Sequence, residues 1–121
     1  MHRKVKVDVL LPLKPIELEL LLALVGEERH GYGLVQQIAE RTNGLVRLEP
    51  GNLYRVIKRL LADGLVEESE RRAISADNSE RRRYYRLTPL GVRVTAAELH
   101  RIRTVLSSAA ARTLFRRLGA A

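Results

Sequence analysis

Residues 50–63, PGNLYRVIKRLLAD, constrain the fold more than any other stretch. Proline suits the first turn of a helix, because its φ is already helical and its missing N–H would have no partner there. Leu53, Val56, Ile57, Leu60 and Leu61 then recur at spacings of three and four, which makes one apolar stripe. Opposite them stand Asn52, Arg55, Lys58 and Arg59, with no acid until Asp63. A short helix with an anchored apolar back and a front of long donors suits the major groove of DNA. Its neighbours must support that reading.

The residues after the helix do. LVEESERR (65–72) starts apolar and reads as a strand, ISADNSE (74–80) as a polar turn, and RRRYYRLT (81–88) as a second, basic strand. A helix leading into such a hairpin makes a winged helix-turn-helix, in which the hairpin carries cations toward phosphates or the minor groove. The residues before it also fit. IELELLLALVGE, from residue 16, reads as a helix with Glu17 and Glu19 in its first turn. Its alternating start would also suit a strand; its length and the stop at Gly26 favour helix. After a polar loop, GEERHG, the run GYGLVQQIAERTNG reads as a second helix closed by Asn43-Gly44. Gly31 and Gly33 at its start would admit another backbone. LVRLE (45–49) is either a small strand or an extended linker.

Thr88-Pro89 caps and starts a final helix that is expected to reach about Leu118, before Gly119. Val92, Leu99, Ile102, Leu106 and Ala109 form a heptad-like seam along it, with Thr95 filling the gap. That length exceeds what a monomer of 121 residues needs, so these five residues are the expected dimer interface. The fold class expected is therefore mainly α with a small β-hairpin wing. Residues 1–88 would form the winged helix-turn-helix, residues 89–121 the dimerisation helix, and the whole one domain without repeats or linkers. Residues 1–14 would be a basic arm or tail.

Charge sharpens this. The net charge is +8, yet residues 1–70 hold 10 basic and 11 acidic side chains while residues 71–121 hold 12 and 3. Basic charge concentrated in one part of a small chain marks a polyanion partner, or an anionic membrane surface. A hydrophobic share of 45% and a charged share of 30% suit a folded chain rather than a disordered one. The start, MHRKVKVDVLLPLKP, is too short and too interrupted for a signal peptide or span, so a cytoplasmic location and no membrane are expected. No cysteine is present, and the only histidines are His2, His30 and His100, so neither a metal nor a cofactor is expected. No nucleophile–base pair, carboxylate pair or phosphate loop appears, which argues against an enzyme.

HGYGLVQQIAERTNG (30–44), PGNLYRVIKRLLADGLVEE (50–68) and ERRRYYRLTPLG (80–91) resemble, in order and spacing, the PadR family of bacterial winged-helix repressors. The likeness covers roughly residues 12–106, and the short tail looks like the compact branch of that family. The resemblance implies a homodimer that binds a double-stranded operator and represses transcription. It also implies, as in some members, a small and often aromatic effector held between the subunits by the first and last helices, with Tyr32, Leu99 and Ile102 as its candidate walls. Glu49 departs from the family, which commonly has a hydroxyl residue there, and is a poor helix cap. Asn52 stands where the family commonly has Thr; it keeps hydrogen-bonding ability and could read adenine. The chain has no Trp, so a clamp of paired tryptophans is ruled out.

The candidate DNA contacts are Asn52, Tyr54, Arg55, Lys58, Arg59, Arg82 and Arg83. Arg59, one step from Lys58, is placed to point sideways. Tyr54 either reaches DNA or packs its ring on the neighbouring helix. Strand parity puts Tyr85 and Leu87 inward and Arg82, Tyr84 and Arg86 outward. Asp77 and Glu80 near the wing tip oppose deep insertion. His30 reads as a capping or packing residue. The alternative function is a winged-helix module that binds a protein or an anionic surface without operator specificity. The polar front of residues 52–59 lacks the hot spot such a module would show.

Overall fold

The computed structural model describes residues 7–72 and 83–119, except for the side chains of residues 71 and 72. A helical turn at residues 7–9 precedes eight elements. In chain order these are α1 (Pro15–Ala23), β1 (Arg29–His30), α2 (Gly31–Arg41), α3 (Pro50–Ala62), β2 (Val66–Arg72), β3 (Arg83–Leu87), α4 (Pro89–Leu106) and α5 (Ala109–Arg117).

The packing of α1 accounts for the ambiguity of its sequence. It lies against α2, α3 and α4, so it is apolar on most sides and shows no single stripe. Leu20, Leu21, Ala23 and Leu24 are buried there. Its start is closed by Glu17, whose Oε1 accepts the Lys14 amide at 2.9 Å.

α2 is capped by His30, whose Nδ1 accepts the Gly33 amide at 3.2 Å. Its end turns through Asn43 and Gly44, both left-handed at φ 53° and 80°. Residues 45–49 then run as an extended linker, which settles that choice against a strand. Thr42 Oγ1 anchors the linker by accepting the Val46 amide at 3.0 Å. α3 begins at Pro50 behind Glu49, which makes no side-chain cap, in keeping with its residue type. Leu53, Ile57 and Leu60 bury its apolar stripe in a core shared with Leu20, Leu34, Ile38 and Val94.

The sheet has three antiparallel strands in the order β1-β3-β2. The third strand corrects the reading of GEERHG as loop alone, since Arg29 pairs with Tyr85 and His30 with Tyr84. Two residues are too few to show a period of two. Tyr85 is buried and Leu87 half-buried, as parity required. The β2–β3 register is irregular between Glu68 and Arg72.

The final helix is not continuous. α4 ends at Leu106, and Ser108 caps a separate α5 by accepting the Ala111 amide at 3.1 Å. Serine competes with the helical backbone for its own hydrogen bonds, so a Ser-Ser pair is a natural place for such a break. α4 buries Gly91, Val94, Thr95 and Glu98. Thr95 therefore belongs to the core rather than to an exposed seam. From residue 99 to residue 119 nothing is buried, so the rest of α4 and all of α5 project from the body.

Candidate nucleic-acid interface

The core-facing stripe of α3 leaves Asn52, Arg55, Lys58 and Arg59 exposed on the far side. The structure thus brings together the four front residues named from sequence. Among the described residues, no ion pair engages Arg55 or Lys58. Arg59 does point sideways: its guanidinium stands 3.8 Å from Glu17 Oε2 on α1. A contact this long and half-exposed to solvent is weak and leaves most of the charge available.

Tyr54 packs its ring toward α2. A Cβ added at Gly31 would lie 2.5 Å from the Tyr54 hydroxyl. The close approach expected at Gly31 is therefore made by a side chain rather than a backbone, and Gly33 has only ordinary contacts. Tyr54 and Tyr32 share a small cleft of about 260 Å³ with Val35 and Pro50. Tyr32 is 65% exposed there. Leu99 and Ile102 lie instead on α4, which packs on α1 and β3. Within one chain, the three candidate walls of an effector pocket thus sit on different parts of the fold.

The wing strand is less free than its composition suggests. Arg83 stands 3.4 Å from Glu68. Arg86 meets Glu67 at 2.9 Å and Glu28 at 3.6 Å. The hydrogen bond with Glu67 is the main reason that the Arg86 pKa is raised above its ordinary value. Acids on β2 thus oppose the described arginines of β3, an arrangement hidden from composition because the two strands lie apart in sequence. Arg82, Asp77, Glu80 and residues 1–6 of the candidate arm lie outside the described residues.

Two further cations adjoin this face that sequence reasoning did not single out. Lys14 and Arg47 line a cleft beside α3 together with Asn52, Arg55 and Arg59. The only sequence signal of Arg47 is an isolated positive charge in a linker, and that of Lys14 is its place at the end of the candidate basic arm.

A helix pair, α2 and α3, leading into a hairpin with a third strand, is the geometry of a winged helix-turn-helix. The family model described as "Transcriptional regulator PadR-like family" matches residues 20–97, from α1 to within α4. The chain belongs to this PadR-like family. That family is one of transcriptional regulators.

Its similarity to individual proteins agrees. It is 37% identical over 76 residues to the transcriptional regulator Rv3488 of Mycobacterium tuberculosis, covering 63% of this chain and 64% of that protein. It is 34% identical over 74 residues to an uncharacterized protein of Lysinibacillus sphaericus, covering 60% and 63%. The matches thus span under two thirds of the length of these relatives. Among solved structures, a PadR family regulator of Clostridium difficile superposes with a TM-score of 0.64 at 20% identity, covering 87% of this chain and 98% of that one. Bacillus subtilis PadR in complex with operator DNA superposes with a TM-score of 0.61 at 22% identity, covering 73% and 48%. At these identities the likeness establishes the fold. No helix among the described residues is long and apolar enough to cross a membrane.

Proposed function

We propose that this PadR-like chain is a homodimeric, sequence-specific DNA-binding repressor that reads its operator with α3. The observation that carries the reading is the exposed front of α3. Asn52, Arg55 and Lys58 face solvent while the back of the helix is locked into the core by Leu53, Ile57 and Leu60. Arg55 and Lys58 would take phosphates or guanine edges, and Asn52 would pair with adenine. Arg59 would add charge, and Tyr54 would support the α2–α3 angle rather than read a base. Arg82 and Arg83 of the wing would meet phosphate, Arg83 by exchanging Glu68 for DNA.

The dimer would form through residues 89–121, with residues 1–88 as the reading part. Its support is the projecting arm, where Val105, Leu106 and Leu114 are each more than half exposed. Leaving such residues in water is unfavourable, and a second copy would cover them. Leu99, Ile102 and Leu106 would form the seam, with Val92, which borders a shallow cleft with Leu24 and Leu87, at its edge. Ala109 opens α5. Release by a small molecule held between the subunits is part of this proposal, with Leu99 and Ile102 as walls. Tyr32 would contribute only from the reading side.

Competition gel shifts on the promoter beside its own gene test the reading. Specific binding of the order of 10⁻⁸ M, falling steeply as salt rises, is expected. Equal binding of specific and random duplexes at physiological salt would overturn operator specificity and favour an interaction module.

A further inference from the structure

A cleft of about 380 Å³ opens between the start of α1, the linker before α3, and α3 itself. Its chemistry is two-sided. Lys14, Arg47, Arg55 and Arg59 ring it, against a single carboxylate, Glu17. That carboxylate is already engaged, by the Lys14 amide through Oε1 and at 3.8 Å by Arg59 through Oε2. No ion pair among the described residues uses Lys14, Arg47 or Arg55. The floor, however, is aliphatic: Ile16, Val46, Leu48 and Val56, each half-buried, with no aromatic ring among the lining residues.

These two halves select a ligand class. A DNA phosphate needs cations and water but has no use for a branched aliphatic floor. A neutral hydrocarbon would use the floor but gain nothing from the cations. Aromatic ligands would find no ring to stack on. An anion with an aliphatic tail satisfies both, since guanidinium forks match a carboxylate and the tail buries its methylenes on the floor. The volume lies in the lower range of small-molecule sites, about 300–1,000 Å³, which limits the tail to medium length.

We propose that this cleft binds a medium-chain aliphatic carboxylate and that the ligand competes directly with DNA for Arg55 and Arg59. Such release differs from an effector held between subunits, because it acts on the reading helix itself and does not need the dimer to change. The competition rests on the proposed reading of DNA by α3; the binding site does not.

The test uses the full chain and four probes: octanoate, hexanoate, octanol and inorganic phosphate. Amide NMR titrations should show saturable octanoate shifts at residues 46–48 and 52–56. Two methylenes separate octanoate from hexanoate, and each is worth roughly fourfold in affinity when buried, so hexanoate should bind about tenfold more weakly or worse. Octanol and phosphate should each bind at least tenfold more weakly than octanoate. Val46→Asn should weaken octanoate at least fivefold while leaving DNA affinity in the absence of ligand within twofold. Ile16→Gln should do the same, and serves if Val46→Asn melts early. Phosphate matching octanoate would mean a simple phosphate site, octanol matching it would mean unspecific apolar binding, and shifts confined to α4 and α5 would mean binding at the arm; each overturns the proposal. If octanoate shifts the cleft but no DNA binds, the DNA reading fails and the ligand site stands. If DNA binds and the cleft signals do not move, the ligand site fails alone.

Discussion

Gly91, in the first turn of α4, lies directly against the carbonyl oxygen of Leu65, the residue that leads α3 into β2. Thr88 tightens the same joint: its amide donates to Leu65 O at 3.1 Å and its hydroxyl to Gly64 O at 2.6 Å. The exit of the proposed reading helix and the buried start of α4 therefore meet at one joint. There is no room at this contact for a side chain at residue 91.

That contact sets the first prediction. Gly91→Ala gains helix propensity of up to about 1 kcal/mol but drives a methyl into backbone that no rotamer change can clear. A net loss of about 1–3 kcal/mol is expected from urea denaturation. Gly33→Ala, where an added Cβ would meet nothing closer than 3.7 Å, should be neutral or stabilising by up to about 1 kcal/mol. Equal effects at the two sites would refute the distinction.

The cap of α2 offers a second. His30→Ala removes the acceptor for the Gly33 amide and should cost about 1 kcal/mol in thermal or urea melts. It also loses the T-shaped contact with Tyr84, at 5.1 Å between ring centroids. His30→Asn restores the acceptor and should recover most of the cap's share but not the ring's. A melt of His30→Asn no better than His30→Ala would show that the cap contributes nothing.

On the exposed front of α3, Arg55→Ala and Lys58→Ala should each change stability by less than about 0.5 kcal/mol, because neither side chain is buried or paired. Each should weaken DNA binding, and a residue that meets phosphate should reduce the salt-dependence slope by about 1. Fluorescence anisotropy across a salt series separates the two roles. A base-reading residue relaxes operator preference instead, by about 1–3 kcal/mol at one position.

Glu98 predicts a pH dependence. It is 1% exposed and accepts from Arg101 at 2.7 and 3.0 Å and from the Leu13 amide at 3.3 Å. Chiefly through the hydrogen bond from Arg101, its carboxyl is held below the usual carboxylate range. A carboxylate whose pKa is lowered by folding stabilises the fold above its unfolded value and loses that contribution as pH falls through the folded one. Glu98→Gln should therefore cost about 1–3 kcal/mol near pH 7, with Arg101 half in solvent limiting the loss. The gap between variant and parent should close as pH drops below about 4.5. A gap unchanged at pH 3 would contradict this.

For the arm, Leu106→Glu combined with Phe115→Glu should leave the melting temperature of the body nearly unchanged while raising the dissociation constant of the proposed dimer at least a hundredfold. Both residues are exposed in a single chain, so only a partner's surface would object to the charges. Analytical ultracentrifugation reads the outcome, and an unaltered dimer would remove α4 and α5 from the interface.

Local chemistry accounts for what the sequence made legible. The stripe of α3, the Thr88-Pro89 start of α4, the His30 cap and the inward parity of Tyr85 all derive from periods and caps spanning a few residues. The order of helix, helix and wing was legible too, since each element announces itself within its own window. The division of the last helix rests on a local signal as well, but Ser107-Ser108 is a weak one that the strong apolar seam around it outweighed.

Tertiary structure decided everything that depends on segments distant in the chain. β1 exists only because β3 lies beside it, and Arg83 and Arg86 meet acids that β2 and the loop before β1 bring to them. Tyr54 turned toward Gly31, and Arg59 toward Glu17, because α3 leans on α2 and α1. The cleft of cations over an aliphatic floor draws on three segments and appears in none of them alone. The sequence by itself determined the apolar face of α3 and where α2, α3 and α4 begin. Which charges stay unpaired on the open faces was settled only by packing, because pairing depends on distances that folding alone creates.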